Sequence, residues 1–438
     1  MRADPALLAR SLEARSSLEA LSDPALPALP DLLVDHHELL CVAAAASGAE
    51  LIEARPRQVT WRPGSSLTVR YDAELSRDGA RCDESFVAAT GAKLPAGCLV
   101  LDDGESRVGV WQALADPWLP GLAAMFDPDR LRRLLDDLGV APGEPTARLR
   151  AHRPGRRAVV EVTTPSARLF VKVVAPRKAE ALHHRHVMLA DHLPVPRSLG
   201  WSPEHGVVVL QAVPGVPLRD VVGLHPDGGA RQAHPDAAAL LALLDAIPLL
   251  DPDRAVVGWR SEEFAELVAL TCPPLRPRVE GLAGALDQIE ATLDEPLVPV
   301  HADFHDGQLL TDGSRITGLV DLDTVGPGHR LDDLATLIGH LATLALMVPR
   351  RGAIEAYAAR LLAAFDRVAD PAMLRASVAA KVLGLATGPF RVLEDRWPAN
   401  TEQRVHLAER WLDSAHQVSE NSLTSGSGSS HLAPPSSH

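Results

Sequence analysis

LVPVHADFHDGQLLTDGSRITGLVDLD, residues 297–323, places five acidic residues and two histidines between short apolar runs. Its part VPVHADF predicts a buried strand that ends in a polar loop, and ITGLVDLD repeats this plan with Asp321 at the end of a strand. Two such strand and loop units allow Asp303, Gln308 and Asp321 to converge although they are separated along the chain.

Side chains of this kind suit phosphoryl transfer. That chemistry needs a carboxylate that orients or deprotonates the acceptor, oxygen ligands for Mg²⁺ and a cation on the nucleotide phosphates. Asp303 fits the first requirement. Gln308 and Asp321 supply the hard oxygen ligands that Mg²⁺ prefers.

The two blocks HADFHDGQLL (301–310) and GLVDLDTVGPGHRLDDLA (318–335) also resemble a known family. They are similar to the H-x-D-x-x-x-x-N motif and downstream aspartate of the aminoglycoside phosphotransferase and choline kinase family, relatives of the protein kinases. Gln308 stands where this family usually has asparagine. Maltokinase-like members also carry glutamine there, so actinobacterial sugar kinases of that type are the nearest subgroup.

The resemblance implies roles for five residues of this stretch. Asp303 would be the catalytic base, and His301 would organise the catalytic loop. Gln308 and Asp321 would hold Mg²⁺, with Asp323 as a second carboxylate beside the metal.

A lysine in the apolar strand RLFVKVVA (168–175) is the candidate for the nucleotide phosphates. Lys172 stands between valines, and a buried ammonium needs an anionic partner, which ATP would supply. The alternative is an edge-strand lysine that faces water. Glu180 on the following helix is expected to hold Lys172, unless it is a solvated carboxylate near the start of that helix.

Three further residues complete the nucleotide site that the resemblance implies. The backbone groups of Gln211 and Val213 would contact adenine at the hinge between the lobes. No glycine-rich G-x-G-x-x-G run is present, and Arg156 or Arg157, in the turn RPGRR (153–157), would lie near phosphate instead. An ordinary strand and turn with solvated arginines is the alternative.

The 438 residues predict more than one domain. The resemblance implies an α+β, protein-kinase-like two-lobe fold, with a small nucleotide-binding lobe and hinge at 126–220 and a helical catalytic and substrate lobe at 221–417. Residues 1–125 would be an extra N-terminal α/β cap module. Residues 418–438 are rich in Ser and Gly and predict a disordered tail.

Two segments of the β-rich half are alike. RPGSSLTVR (62–70) and RPGRRAVVE (153–161) each predict a Pro-Gly turn that leads into a strand. Either the β-rich unit is duplicated in degenerate form, or two hairpins share their turn chemistry by chance.

Composition limits the partners. A net charge of −14 disfavours nucleic acid and is compatible with a cationic small molecule. Four scattered cysteines show no zinc or disulfide spacing. No apolar run reaches the length of a membrane span, and the N-terminus does not resemble a signal peptide, so a cytoplasmic protein is expected.

The predicted reaction transfers the γ-phosphoryl group of ATP, with Mg²⁺, to a hydroxyl of a small molecule such as an amino sugar, an aminoglycoside or another sugar. The segment 386–403 would form the acceptor site, with Phe390 and Trp397 for stacking and acidic residues for a cation. One alternative is a catalytically inactive kinase-like scaffold. Another is a metal-dependent hydrolase, since His301, Asp303 and His305 would share one face of an extended strand.

Overall fold

The computed structural model describes residues 16–91, 93–140, 143–222, 234–349 and 351–426. Within these ranges, no helix is long and apolar enough to cross a membrane.

The first module is a five-stranded antiparallel sheet covered by two short helices, α1 (Leu29–Leu33) and α2 (His37–Ala46). Its strands are β1 (Glu50–Arg62), β2 (Ser66–Arg77), β3 (Ala80–Gly91), β4 (Leu99–Asp102) and β5 (Arg107–Gln112). Alternate residues of β2 are buried, because successive side chains of a strand point to opposite faces. The Tyr71 hydroxyl donates to the Leu32 carbonyl and ties α1 to the sheet.

A second five-stranded antiparallel sheet follows, packed between two helices, α3 (Pro128–Asp137) and α4 (Pro176–Ala190). Its strands are β6 (Thr146–Arg153), β7 (Arg157–Thr163), β8 (Arg168–Val174), β9 (Ser198–Ser202) and β10 (Val207–Gln211). Both faces of β8 are buried, because α3 covers one face of the sheet and α4 the other.

The two sheets have the same topology. Their strand orders are β1-β2-β3-β5-β4 and β6-β7-β8-β10-β9. The sequences that precede them also correspond, DPALPAL at 23–29 and DPWLPGL at 116–122. This agreement favours a duplicated unit over chance similarity of two hairpins.

The same aspartate clamp holds the first hairpin of each sheet. Asp23 accepts a 2.8 Å hydrogen bond from the Gly64 N–H, and Asp116 accepts a 2.7 Å bond from the Gly155 N–H. Both glycines are in the left-handed region, with φ of 69° and 68°, which residues with a Cβ rarely adopt. The two Pro-Gly turns are therefore fixed in equivalent ways.

The rest of the chain is mainly helical, as expected for the large lobe of a kinase-like fold. Its helices are α5 (Leu218–Val222), α6 (Ala237–Asp245), α7 (Ser261–Thr271), α8 (Arg276–Glu290), α9 (Arg330–Met347), α10 (Arg351–Phe365), α11 (Pro371–Ala386), α12 (Gly388–Arg391) and α13 (Trp397–Gly426). Its short strands are β11 (Val216–Pro217), β12 (Val298–Val300), β13 (Leu309–Asp312), β14 (Arg315–Leu319) and β15 (Gly326–Gly328). Helices α9 and α11 are buried on most sides and form the centre of this core.

The predicted disordered tail is wrong over its first part. Helix α13 continues through residues 418–426, and the remaining residues of the predicted tail, 427–438, lie outside the described part of the chain. A helix that is already formed gains one hydrogen bond for each residue added, so it extends into a stretch of weak helix formers.

Candidate active site

Lys172 lies on β8, between its neighbours β7 and β10, and is only 6% exposed. Its Nζ donates to Asp321 Oδ1 at 3.1 Å and to Asp323 Oδ1 at 2.7 Å. An ammonium is tolerated here because two carboxylates pair with it. The edge-strand alternative is therefore wrong, since Lys172 faces the large lobe rather than water.

Arg157, the first residue of β7, is a second cation at the same carboxylates. Its Nη1 donates to Asp321 Oδ1 and Asp323 Oδ2, both at 2.9 Å, and its Nη2 donates to Asp321 Oδ2 at 2.7 Å. Sequence reasoning named Arg157 beside Arg156 as a candidate near phosphate but did not predict its contact with these carboxylates. The register of the hairpin shows this contact. Lys172 lies opposite Val159 on β7, and Arg157, two residues before Val159, therefore lies on the same face of the sheet as Lys172.

These contacts keep both carboxylates ionised. Burial alone would raise the pKa of Asp321, but Lys172 and Arg157 together lower it to about 2. The pKa of Asp323 is also lowered, because the same cations outweigh its burial. Asp321 adopts a left-handed backbone conformation with φ of 62°, which is uncommon for residues other than glycine and occurs often at functional sites.

Gln308 is brought to the same place by the loop before β13. Its Nε2 lies 3.4 Å from Asp321 Oδ2. The Gln308 amide and the carboxylates of Asp321 and Asp323 form a cluster of oxygen donors without thiolate or imidazole ligands. Such a donor set fits Mg²⁺, which binds one or two carboxylates together with phosphate oxygens and water.

Asp303 lies on the loop between β12 and β13, and its side chain is 43% exposed. Its nearest ionic neighbour is His305, whose Nε2 lies 4.0 Å from Asp303 Oδ1. Partial burial raises the pKa of Asp303, while His305 opposes this shift. The carboxylate is thus open to a substrate hydroxyl beside the Asp321 cluster.

The backbone of this loop is fixed by a buried carboxylate on α9. Asp333 accepts 2.8 Å hydrogen bonds from the N–H groups of His301 and Ala302. Ala302 has φ of 63°, so the chain turns sharply just before Asp303. Burial raises the pKa of Asp333 to about 6, and the two N–H donors act in the opposite direction.

His301 is buried and points away from the cleft. Its Nε2 donates to the Val320 carbonyl at 3.1 Å, and its own carbonyl accepts a 2.9 Å bond from the Thr324 hydroxyl. Burial lowers the pKa of His301 to about 4, so the ring is neutral at pH 7. His301 therefore connects the Asp303 loop to the segment that carries Asp321.

The hydrolase alternative fails on this geometry. The turn at Ala302 prevents the extended strand that would have placed His301 and His305 on one face. Among the described residues, one group of three His, Cys, Asp or Glu side chains lies close enough together to share an ion, and it consists of His305, Asp306 and His340. Arg219 Nη2 already lies 3.2 Å from His305 Nδ1 and 3.4 Å from Asp306 Oδ1, which disfavours a cation there.

Glu180 does not reach Lys172. It is exposed on α4, because the helical period directs Ala179, Leu182 and His186 toward the sheet instead. His186 is 1% exposed, and its Nδ1 donates to the Pro196 carbonyl at 2.8 Å. Burial, followed by the charge of Lys172, lowers the pKa of His186 to about 4. A neutral histidine thus lies near the lysine where an acid was expected.

The predicted hinge residues and Arg156 lie outside the Lys172 cluster. The Gln211 N–H donates to the Arg197 carbonyl at 2.9 Å, so it is already engaged within the protein. Val213 lies against Gly318 of β14. Arg156 is exposed in the turn before β7 and forms no ion pair with the described residues.

A cavity of about 870 Å³ lies away from this site. It is lined by β1, β2 and β3 of the first sheet and by Leu149 and His152 of the second. It contains none of the candidate site residues.

One comparison decides the family. The model of the phosphotransferase enzyme family matches residues 148–372, a segment that contains every site residue described above. The chain belongs to this phosphotransferase family. The maltokinase-like subgroup stays a prediction, and no curated protein matches the chain.

Several solved structures are similar to the phosphotransferase. One is a thermostable mutant of aminoglycoside phosphotransferase APH(4)-Ia with ADP and hygromycin B, at 14% identity and a TM-score of 0.44, covering 64% of this chain and 97% of that one. Another is spectinomycin phosphotransferase APH(9)-Ia with ADP and spectinomycin, at 10% identity and a TM-score of 0.45, covering 66% and 98%. A third is aminoglycoside-3'-phosphotransferase of type VIII, at 24% identity and a TM-score of 0.37, covering 58% and 98%. The substrate of this chain follows from none of them.

Proposed function

We propose that this phosphotransferase transfers the γ-phosphoryl group of ATP to a hydroxyl of a small molecule. The observation that carries the proposal is the convergence of Lys172, Gln308, Asp321 and Asp323 beside the accessible carboxylate of Asp303. These groups come from the second sheet and from two loops of the helical part. They match the three requirements of phosphoryl transfer: a cation for phosphates, oxygen ligands for a metal and a carboxylate for the acceptor.

The charges of the cluster match the nucleotide. Lys172 and Arg157 neutralise Asp321 and Asp323, so a triphosphate and a divalent cation can each find opposite charge in the same place. When bound, Mg²⁺ would neutralise charge on the transferring phosphoryl group. The oxygens of Gln308, Asp321 and Asp323 would hold it.

Asp303 would orient the acceptor hydroxyl and take its proton. A raised pKa makes a carboxylate a stronger base, and partial burial shifts Asp303 in that direction. Its position is set through the loop contacts of Asp333 and His301 rather than by contacts of its own carboxylate.

The nucleotide base would bind at the hinge after β10. The engaged N–H of Gln211 leaves its carbonyl and the backbone of Val213 as candidates for the purine edge. In this proposal residues 126–220 form the nucleotide lobe, residues 221–417 the helical lobe and residues 1–125 the cap. Arg156 lies one residue from Arg157 in the turn before β7, and its contact with the nucleotide phosphates stays a prediction.

The test is Asp303→Asn in the full chain, with ATP consumption followed over a panel of sugars, amino sugars and aminoglycosides. Loss of a general base should lower the turnover number by at least about a hundredfold. Stabilisation of the protein by ATP in thermal unfolding should remain, because Asp303 does not contact the Lys172 cluster.

Asp312→Asn is the matched control, since that side chain is 74% exposed and pairs only with Arg315 among the described residues. Unchanged turnover in Asp303→Asn would reject the role of Asp303. ATP binding without turnover in the unaltered protein, with every acceptor, would instead favour the scaffold.

A further inference from the structure

Four arginines near the site have no counter-charge. Arg62 ends β1, Arg153 ends β6, Arg156 lies in the turn before β7 and Arg391 ends α12. Among the described residues, none of the four forms an ion pair or a side-chain hydrogen bond. This is unusual in a chain with a net charge of −14, where carboxylates are in excess.

Packing brings these arginines together from three parts of the molecule. The ring of Trp61, next to Arg62, lies 6.2 Å from the ring of Phe390, next to Arg391. The turn between Arg153 and Arg156 is the one that Asp116 clamps through the Gly155 N–H. That turn also packs on Trp118, since a Cβ on Gly155 would lie 2.5 Å from this ring. The arginines are therefore carried on fixed backbone.

The electrostatics show that the four charges act on one another. Burial is the largest cause that lowers the pKa of Arg156, and the charges of Arg153 and Arg62 lower it further. Burial also lowers the pKa of Arg391, followed by Arg153 and Arg156. Arg156 and Arg391 nevertheless keep exposed surface, so a solute can reach them. Like charges held this close are relieved by an anion.

The cluster lies within electrostatic reach of the proposed base. The charge of Arg153 also acts on Asp303, the proposed base. Arg62 and Arg391 lie outside residues 148–372, the segment that matches the phosphotransferase family. Half of the cluster is thus supplied by parts of the chain that flank the nucleotide-binding fold.

The two rings predicted to stack on the acceptor are buried, and Glu394 is engaged within the protein. Phe390 and Trp397 are each 1% exposed and pack against each other at 5.2 Å. Glu394 accepts from Asn400 and pairs with Arg404. In the segment 386–403 the two aromatic rings are thus buried, while Arg391 lies exposed within electrostatic reach of Arg153 and Arg156.

We propose that Arg62, Arg153, Arg156 and Arg391 bind an anionic group of the acceptor, so that the substrate is a hydroxyl compound bearing a phosphate or a carboxylate. The planar guanidinium suits both groups, because it donates two parallel hydrogen bonds to a pair of oxygens. The N-terminal module then has a function at the site, since it supplies Arg62. This inference rests on the proposed phosphotransfer.

The first experiment measures binding without nucleotide. Isothermal calorimetry compares glucose 1-phosphate and glucuronate with glucose and glucosamine, which share a ring and differ in charge. The anionic compounds should bind, and the double variant Arg62→Ala, Arg391→Ala should weaken their binding by about tenfold or more. Arg396→Ala, an exposed arginine five residues beyond Arg391, should change nothing.

The second experiment measures ATP consumption with the same four compounds. The double variant should raise KM for an anionic acceptor by about tenfold or more and leave KM for ATP unchanged. A rise in KM for ATP alone would assign the cluster to the nucleotide phosphates and overturn the proposal. Equal binding of charged and neutral sugars would also overturn it. Anion binding without turnover would refute the phosphotransfer and leave the anion site standing.

Discussion

The ammonium of Lys172 is held inside the second sheet by two carboxylates that it shares with Arg157. Replacing it with methionine keeps the length of the side chain and removes the charge. Among the described residues, Arg157 then remains as the one cation paired with the carboxylates of Asp321 and Asp323. The Lys172→Met variant should lose about 1–3 kcal/mol of the free energy of unfolding. This loss is smaller than that expected for buried carboxylates left without any cation. Denaturant unfolding measures this loss.

A double-mutant cycle separates the pair from the packing. Asp323→Asn alone should also destabilise, and the combined variant should lose less than the sum of the two. The coupling should be at least about 0.5 kcal/mol. Additive effects would show that Lys172 and Asp323 do not stabilise each other in solution, contrary to their 2.7 Å contact.

Some of the site residues could be predicted from the sequence and others could not. Lys172, Asp303, Gln308 and Asp321 could be named because each belongs to a motif with defined chemistry. Arg157 could not be chosen over its neighbour, because only the register of β7 with β8 decides which arginine of the turn faces the carboxylates.

At the scale of elements, the catalytic loop depends on the first turn of α9. Asp333 is fully buried and uses one oxygen for each of two backbone N–H groups, those of His301 and Ala302. An asparagine of the same shape has one acceptor and one donor, so one N–H would face an amide NH₂ and stay unpaired. We expect Asp333→Asn to lower the free energy of unfolding by about 1–3 kcal/mol.

The same variant should lower the turnover number more than it raises KM for ATP, because it displaces Asp303 and leaves Lys172 in place. Steady-state kinetics with both substrates checks this split. Asp332→Asn is the neighbouring control: its carboxylate contacts Trp259 and Lys381 and does not bond to the catalytic loop. Equal effects of the two substitutions on turnover would contradict the loop role of Asp333.

The docking of helix α4 explains why the prediction for Glu180 is wrong. The strands and helices that carry the site follow from periodicity, but the choice of Glu180 rests only on its being a glutamate of the helix that follows Lys172. The buried face of α4 runs through Ala179, Leu182 and His186, so a residue one step from that face is solvated. Only the docked helix shows that His186 lies near the lysine.

On the scale of the whole molecule, the kinase-like part was predictable because two motifs fix its chemistry and order along the chain. The first module was predicted as an α/β cap, but its duplication stayed an open alternative, since only a Pro-Gly turn repeats clearly in the two strand regions. The common strand order and the matching clamps of Asp23 and Asp116 appear once the sheets are folded. Arg62 and Arg153 then lie at equivalent positions of equivalent hairpins. Two of the four arginines of the proposed anion site are therefore copies of one position in the duplicated unit.

The whole molecule should also lose stability in mild acid because of its buried histidines. Burial lowers the pKa of His186 and His301 to about 4 and that of His340 to about 3. The histidines of the unfolded chain take up protons near pH 6.5, whereas those of the folded chain stay neutral. The free energy of unfolding therefore falls as the pH decreases from 6.5 to 4. Asp333, with its pKa raised to about 6, acts in the opposite direction and offsets part of this loss.

His340→Gln tests the origin of this pH dependence. The ring stacks on His305 at 4.1 Å, and the charged groups around it are Asp306, Arg219 and Arg404. Glutamine does not bind a proton in this pH range, so the variant lacks one group that is protonated in the unfolded chain and neutral in the folded chain. Between pH 6 and pH 4.5 the slope of the unfolding free energy should therefore decrease by up to about 1.4 kcal/mol per pH unit.

His416→Gln, at an exposed position on α13, is the control and should leave the slope unchanged. Denaturant titrations at several pH values measure both, and equal slopes for the His340 variant and the unaltered chain would show that this ring is protonated in the folded protein.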